Sequence, residues 1–168
     1  MNWGYINIYG QTIIDAYFNE AYPFKEEFAR IKQNGKWGFI DNKGAMMIDP
    51  VYDDAGDFSD DLAPVKKDDN WGFVDKNGEI VIDFKYEYVW PFKEGFAAFS
   101  EKQKWGFIDK NSNVIIEPKL DFVWSFSNGL AIVKLNEEWY CFNKKGKVIF
   151  KPNYDFVGSF KEKRAKVN

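Results

Sequence analysis

An all-β fold built from five tandem repeats is predicted by three observations in this 168-residue chain. Trp3, Trp37, Trp71, Trp105 and Trp139 stand 34 residues apart, without insertion or deletion. Self-similarity at a fixed period is the signature of a repeat architecture. Aromatic residues make up 20% of the chain, and with β-branched residues they come in short runs separated by Gly, Asn, Asp and Pro, as many short strands require. No apolar run approaches the ~20 residues of a membrane span, and no signal-like segment opens the chain. A chain of this length fits one domain, spanning residues 1–168, and can bury roughly 70% of its unfolded surface.

Each element of the unit follows in order from its first position, the tryptophan. "WGFID" (105–109) alternates with period two and reads as a strand, and glycine after tryptophan leaves room for another backbone or ring to approach. Turns of the Asp-Lys-Asn-Gly type supply a hydrogen-bonding Asp and a glycine free to take positive φ, as a tight hairpin with a bulge needs. "EIVID" (79–83) fits the next strand, and Pro-x-Tyr-Asp is expected to stop it and turn the chain. Phe24, Phe58, Phe92, Phe126 and Phe160 then recur in step, followed by Ala29, Ala63, Ala97, Ala131 and Ala165. "LAIVK" (130–134) completes the unit as a strand that pairs through a loop with the "WGF" strand of the following unit. The repeats are therefore 3–36, 37–70, 71–104, 105–138 and 139–168.

These residues resemble the WG-repeat family, whose units carry Trp-Gly-Phe-Ile-Asp, a glycine turn, Pro-x-Tyr-Asp and Phe-x-x-Gly-x-Ala. The resemblance covers essentially the whole chain. It departs at Ala16 and Phe84 in place of proline, at Glu27, Asp61 and Lys163 in place of the last glycine, and at Tyr140 after the fifth tryptophan. The resemblance implies a bacterial repeat protein without a general activity.

Cutting the chain at 3 and 168 leaves "WGYIN" (3–7) and "RAKVN" (164–168) each without the neighbour that interior copies have. Their mutual pairing would close the last sheet. The expected architecture is a five-fold toroid, a small five-bladed propeller-like ring closed in this way; an open β superhelix is the alternative.

Composition narrows the chemistry. Histidine is absent, which removes the commonest general base and metal ligand and predicts behaviour nearly flat from pH 6 to 8. Cys141 stands alone, so neither an intramolecular disulfide nor a cysteine metal cluster is expected. A net charge of −3 offers no overall pull toward nucleic acid. No nucleophile elbow, phosphate loop or zinc pattern occurs. The expectation is a cytoplasmic protein without cofactor or metal, binding neither nucleic acid nor membrane.

Function is sought where one copy differs from its sisters. Trp90 and Trp124 lie outside the five anchor tryptophans, with Tyr88 and Phe122 two residues before them. Residues two apart on an extended segment share a face, so these four form a candidate binding surface for a protein or for a flat ligand. Core cover is the alternative. Asp15, Asp49, Asp83 and Glu117 occupy one repeat position and form a candidate acidic collar, with Asp83 and Glu117 the pair for carboxylate hydrolysis. Solvated strand ends are the plainer reading. Residues 37–70 hold nine acids and three bases, whereas 139–168 hold two acids and eight bases. Such asymmetry suits electrostatic steering of a charged partner, head-to-tail self-association or ordinary solvated surface. The expected function is a non-catalytic binding module acting as a rigid protein-interaction scaffold; a carbohydrate- or small-molecule-binding repeat protein is the alternative, and a carboxylate hydrolase a distant third.

Overall fold

The computed structural model describes residues 2–168, which fall into two compact units, one up to Lys85 and one from Tyr86. In the first unit, β1 (Trp3–Ile6) and β2 (Thr12–Phe18) pair as a two-stranded antiparallel sheet. A four-stranded sheet follows, ordered β3 (Glu20–Ala21), β4 (Phe28–Gln33), β5 (Lys36–Asp41) and β6 (Met46–Tyr52). Another comprises β7 (Asp54–Ala55), β8 (Ala63–Lys67), β9 (Asn70–Val74) and β10 (Ile80–Tyr86), whose last residue opens the second unit. The second unit holds two more such sheets. One is β11 (Tyr88–Val89), β12 (Phe96–Glu101), β13 (Lys104–Asp109) and β14 (Val114–Leu120); the other is β15 (Phe122–Val123), β16 (Leu130–Leu135), β17 (Glu138–Asn143) and β18 (Val148–Phe150). No helix occurs among the described residues, so none is long and apolar enough to cross a membrane.

Every four-stranded sheet straddles a repeat boundary. The Phe/Ala strand of one repeat pairs residue for residue with the tryptophan strand of the next, as in Phe28↔Asp41 through Gln33↔Lys36. The two-residue loops between them place non-glycine residues at positive φ, including Asp68 and Asp69, or Lys102 and Gln103. Carboxylates fifteen or sixteen residues earlier compensate for that strain by accepting the loop amides. Asp53 takes the Asp68 amide at 3.0 Å, Asp121 takes that of Asn136 at 2.7 Å, and Glu87 takes those of Lys102 and Gln103. The turns where the last glycine is missing also keep positive φ, 75° at Glu27 and 68° at Asp61.

The glycine after each tryptophan has a steric reason. β5 and β6 pair through Trp37↔Tyr52 and Phe39↔Ile48, so β6 carries two extra residues opposite Gly38. A Cβ on Gly38 would lie 2.5 Å from the Ile48 carbonyl oxygen and 2.7 Å from the Pro50 nitrogen. Gly72 and Gly106 face the Ile82 and Ile116 carbonyls at the same 2.5 Å. Repeat five has Tyr140 there, and its final strand shrinks to three residues against seven in the others.

The Pro-x-Tyr-Asp step does end its strand, at Tyr52 with a bend at Asp53, but one expectation is corrected: the proline is not what stops it, because Pro50 and Pro118 lie inside β6 and β14. Each is an edge strand bulged at that point, and an edge or a bulge tolerates a residue without an N–H. At the ends of the chain the local pairings are those of the interior repeats: β1 pairs with β2 as β5 does with β6, and 164–168 turns back on its own repeat as β4 does on β3. There Gly158 donates to the Lys166 carbonyl at 2.8 Å and Asp155 to that of Asn168 at 3.1 Å. The turn from Lys161 to Arg164 repeats the reciprocal turn from Lys25 to Phe28.

Sheets within a unit pack through phenylalanines. Phe58 lies 4.9 Å from both Phe28 and Phe39, and Phe126 lies 4.9 Å from Phe96 and 5.0 Å from Phe107. The same three repeat positions thus make the same cluster in both units. Phe39, Phe107 and Phe126 are fully buried.

Candidate functional site

The short strands β11 and β15 carry Tyr88 and Phe122, and the residues just beyond them carry Trp90 and Trp124. Backbone bonds from Trp90 to the Ala98 carbonyl (2.9 Å) and from Trp124 to that of Ile132 (2.8 Å) continue the extended geometry past each strand end. All four expected residues therefore join one series of rings, together with anchors Trp105 and Trp139 and with Phe156. Centroid distances run 6.0 Å from Tyr88 to Trp105, 5.9 Å to Trp90, 6.2 Å to Trp124, 4.9 Å to Phe122, 6.1 Å to Trp139 and 6.0 Å to Phe156. Interplanar angles from 65° to 84° make every contact edge-to-face, the arrangement that brings a positive ring edge onto a negative face.

This geometry gives the cluster a structural task. Trp90, Phe122 and Trp124 are half-buried, and Tyr88 is 49% exposed. The Trp124 indole also donates to the Val157 carbonyl at 3.0 Å, tying repeat four to repeat five. Elsewhere, at the repeat position of Trp90 and Trp124, the chain uses other fillers. Gly56 has Pro64 against it, and Tyr22 holds the Arg30 guanidinium 3.8 Å from its ring centroid.

The anchor tryptophans divide by environment. Trp37, Trp71 and Trp139 are buried, Trp105 is half-buried, and Trp3 is exposed. Around Trp139 the ring series opens into a hollow of about 400 Å³ lined by Asp121, Phe122, Lys134, Glu137, Trp139 and Phe156. A more polar hollow of about 470 Å³ shares Glu137 and Trp139 and adds Glu138, Lys151, Tyr154 and Asp155 among its lining. Sequence reasoning passed over Phe156. The available signal was the repeat column Tyr88, Phe122 and Phe156, aromatic in the last three copies only.

Asp15, Asp49, Asp83 and Glu117 are all exposed, on β2, β6, β10 and β14. Those strands belong to four different sheets, and no group of three or more carboxylate or cysteine side chains fit to hold a metal ion occurs among the described residues. Other carboxylates have defined structural work. Asp109 accepts the Asn111 and Asn113 amides at 2.9 Å, closing the turn before β14. Glu94 accepts the amides of Asn128 and Gly129 at 2.6 and 2.8 Å and meets Lys144 at 3.3 Å. One side chain thus joins repeats three, four and five.

A second surface comes from the edge strands. Three of them open with two apolar, exposed residues: Met46 and Met47 of β6, Ile80 and Val81 of β10, and Val148 and Ile149 of β18. The next residue turns inward, Ile48 and Ile82 being buried. From the sequence these apolar runs read simply as strands, because the bulge that breaks their alternation is invisible there.

The family model described as WG containing repeat matches residues 3–37, 37–71, 71–105, 105–139 and 141–168. No curated protein sequence matches the chain. Among solved structures, it is similar to the crystal structure of a eukaryotic initiation factor, at 12% identity and a TM-score of 0.57 over 83% of this chain and 45% of the other. It is also similar to a protein of unknown function from Bacteroides caccae, at 14% identity and a TM-score of 0.38 over 81% and 60%. The chain thus spans under half the length of the first of these and under two thirds of the second.

Proposed function

The chain belongs to the WG containing repeat family, and on that premise we propose that it is a non-catalytic module that binds a protein partner through the apolar edge strands of its sheets. The observation carrying this reading is the recurrence of paired exposed apolar residues, 38% and 43% exposed at Met46 and Met47, 54% and 45% at Ile80 and Val81. Apolar residues at a free sheet edge are natural contact points for another chain. The ring series from Tyr88 to Phe156 ties together the two sheets of the second unit, whose β18 carries the exposed Val148 and Ile149, and Tyr88 at its exposed end adds an aromatic contact of the kind enriched at binding hot spots. Repeated four-stranded antiparallel sheets that straddle the repeat boundaries support a propeller-like arrangement of blades.

A non-catalytic role is supported by the setting of Asp83 and Glu117. Both are exposed on their strands and lack the apolar pocket that would make one of them a general acid. Capture of proteins from a cell extract by the wild type, by Met47→Glu and by Val81→Glu tests the proposal. Selective loss of captured proteins by variants that melt like the wild type is the expected result. Unchanged capture overturns it, as would turnover of a glycoside abolished by Asp83→Asn.

A further inference from the structure

We infer that the hollow over Trp139 is a receptor for a small methylated-ammonium compound of the choline type. This uses a different surface from the edge strands, and nothing in it depends on the protein-binding reading. Three aromatic rings bound the hollow. Phe122 and Phe156 lie 6.1 and 6.0 Å from Trp139, at interplanar angles of 80° and 77°. Both rings thus stand nearly perpendicular to the indole that they flank. Ring faces carry negative quadrupole charge and attract a cation within about 6 Å, tryptophan most strongly.

A cation already occupies that relation. The Lys134 ammonium lies 5.9 Å from the Trp139 ring centroid, held there by Glu137 at 2.7 Å. The lining contains two carboxylates, Asp121 and Glu137, against this one ammonium, although Lys104 also bonds Asp121 from outside at 2.6 Å. An anion would therefore meet both ring faces and carboxylates of its own sign. A primary ammonium, with three N–H donors, belongs at a carboxylate as Lys134 does. A quaternary ammonium has no N–H to satisfy, so its methyl groups can fill the aromatic part of the hollow while its charge remains attracted to the rings. The volume of about 400 Å³ lies within the range of small-molecule sites, roughly 300–1,000 Å³.

The test is an NMR titration of the Trp139 indole N–H with choline chloride, compared with 3,3-dimethylbutan-1-ol, its uncharged isostere. Saturable binding of choline about tenfold tighter than the isostere is expected, the discrimination a partly desolvated cation–π site supplies. Phe156→Ala should weaken choline binding severalfold, and because Phe156 is 38% exposed the variant is expected to fold. Glu137→Gln, at a fully surface position, should weaken it as well and serves if Phe156→Ala melts early. Equal affinity for the isostere, no saturable shift at millimolar choline, or wild-type affinity in both variants overturns the inference. Met47 and Val81 are untouched by these variants, so protein capture by the edge strands remains separately measurable.

Discussion

Replacing Gly38 with alanine tests the steric account of the tryptophan-glycine pair. The added Cβ would lie 2.5 Å from the Ile48 oxygen, 2.7 Å from the Pro50 nitrogen and 2.9 Å from the Asp49 carbonyl carbon. All three neighbours are backbone atoms of β6, so no side-chain rotation relieves them, and β5 and β6 must part. Overpacking of this kind costs about 1–3 kcal/mol, and each ladder bond weakened adds about 1 kcal/mol. A loss of roughly 2–4 kcal/mol corresponds to a melting temperature lower by about 5–15 °C for a chain of this size. Thermal melting followed by circular dichroism measures it, and hydrogen exchange at residues 46–52 should show the damage centred on β6. A melting temperature within about 1 °C of the wild type would refute the reasoning. The converse change, Tyr140→Gly, should extend protection beyond the three residues of β18 toward Tyr154, since the obstruction to a seven-residue strand is removed.

Glu94→Ala should destabilise by about 1 kcal/mol at neutral pH, a modest figure because the carboxylate is partly solvated. Burial pushes the Glu94 carboxyl up, but the Gly129 and Asn128 amides and Lys144 outweigh it and hold it below its ordinary value. Its contribution is therefore present above the unfolded value of 4.5 and lost as pH falls through the lower folded one, so wild type and variant should converge in acid melts. Trp124→Ala should cost about 2–4 kcal/mol through lost ring contacts and the lost bond to Val157, whereas Tyr88→Ala should cost under about 1 kcal/mol. Equal effects in paired denaturant titrations would contradict the structural role given to Trp124. Cys141 is fully buried, with its thiol pushed up to about 11 by desolvation, so a thiol reagent should label it only after unfolding. Labelling of the native protein at a rate independent of denaturant would contradict that.

The amino-acid sequence by itself determined the period, the strand class and the hairpin turns. Those features rest on neighbours within a few residues: alternation along "WGFID", and the Asp109 carboxylate reaching amides two and four residues ahead. It also marked Tyr88, Trp90, Phe122 and Trp124 as departures from the repeat, and the structure does bring them together. Tertiary structure decided how they meet. Neighbouring rings meet edge to face, which depends on residues of three repeats sharing one space rather than on any local pattern. Only three dimensions placed Phe156 beside Trp139, put Pro50 in an edge bulge rather than at a strand end, and assigned the carboxylates of Asp53 and Asp121 to loops fifteen residues later. Short-range sterics fix a repeat's shape, but the use of each exposed side chain is settled by what the fold sets against it.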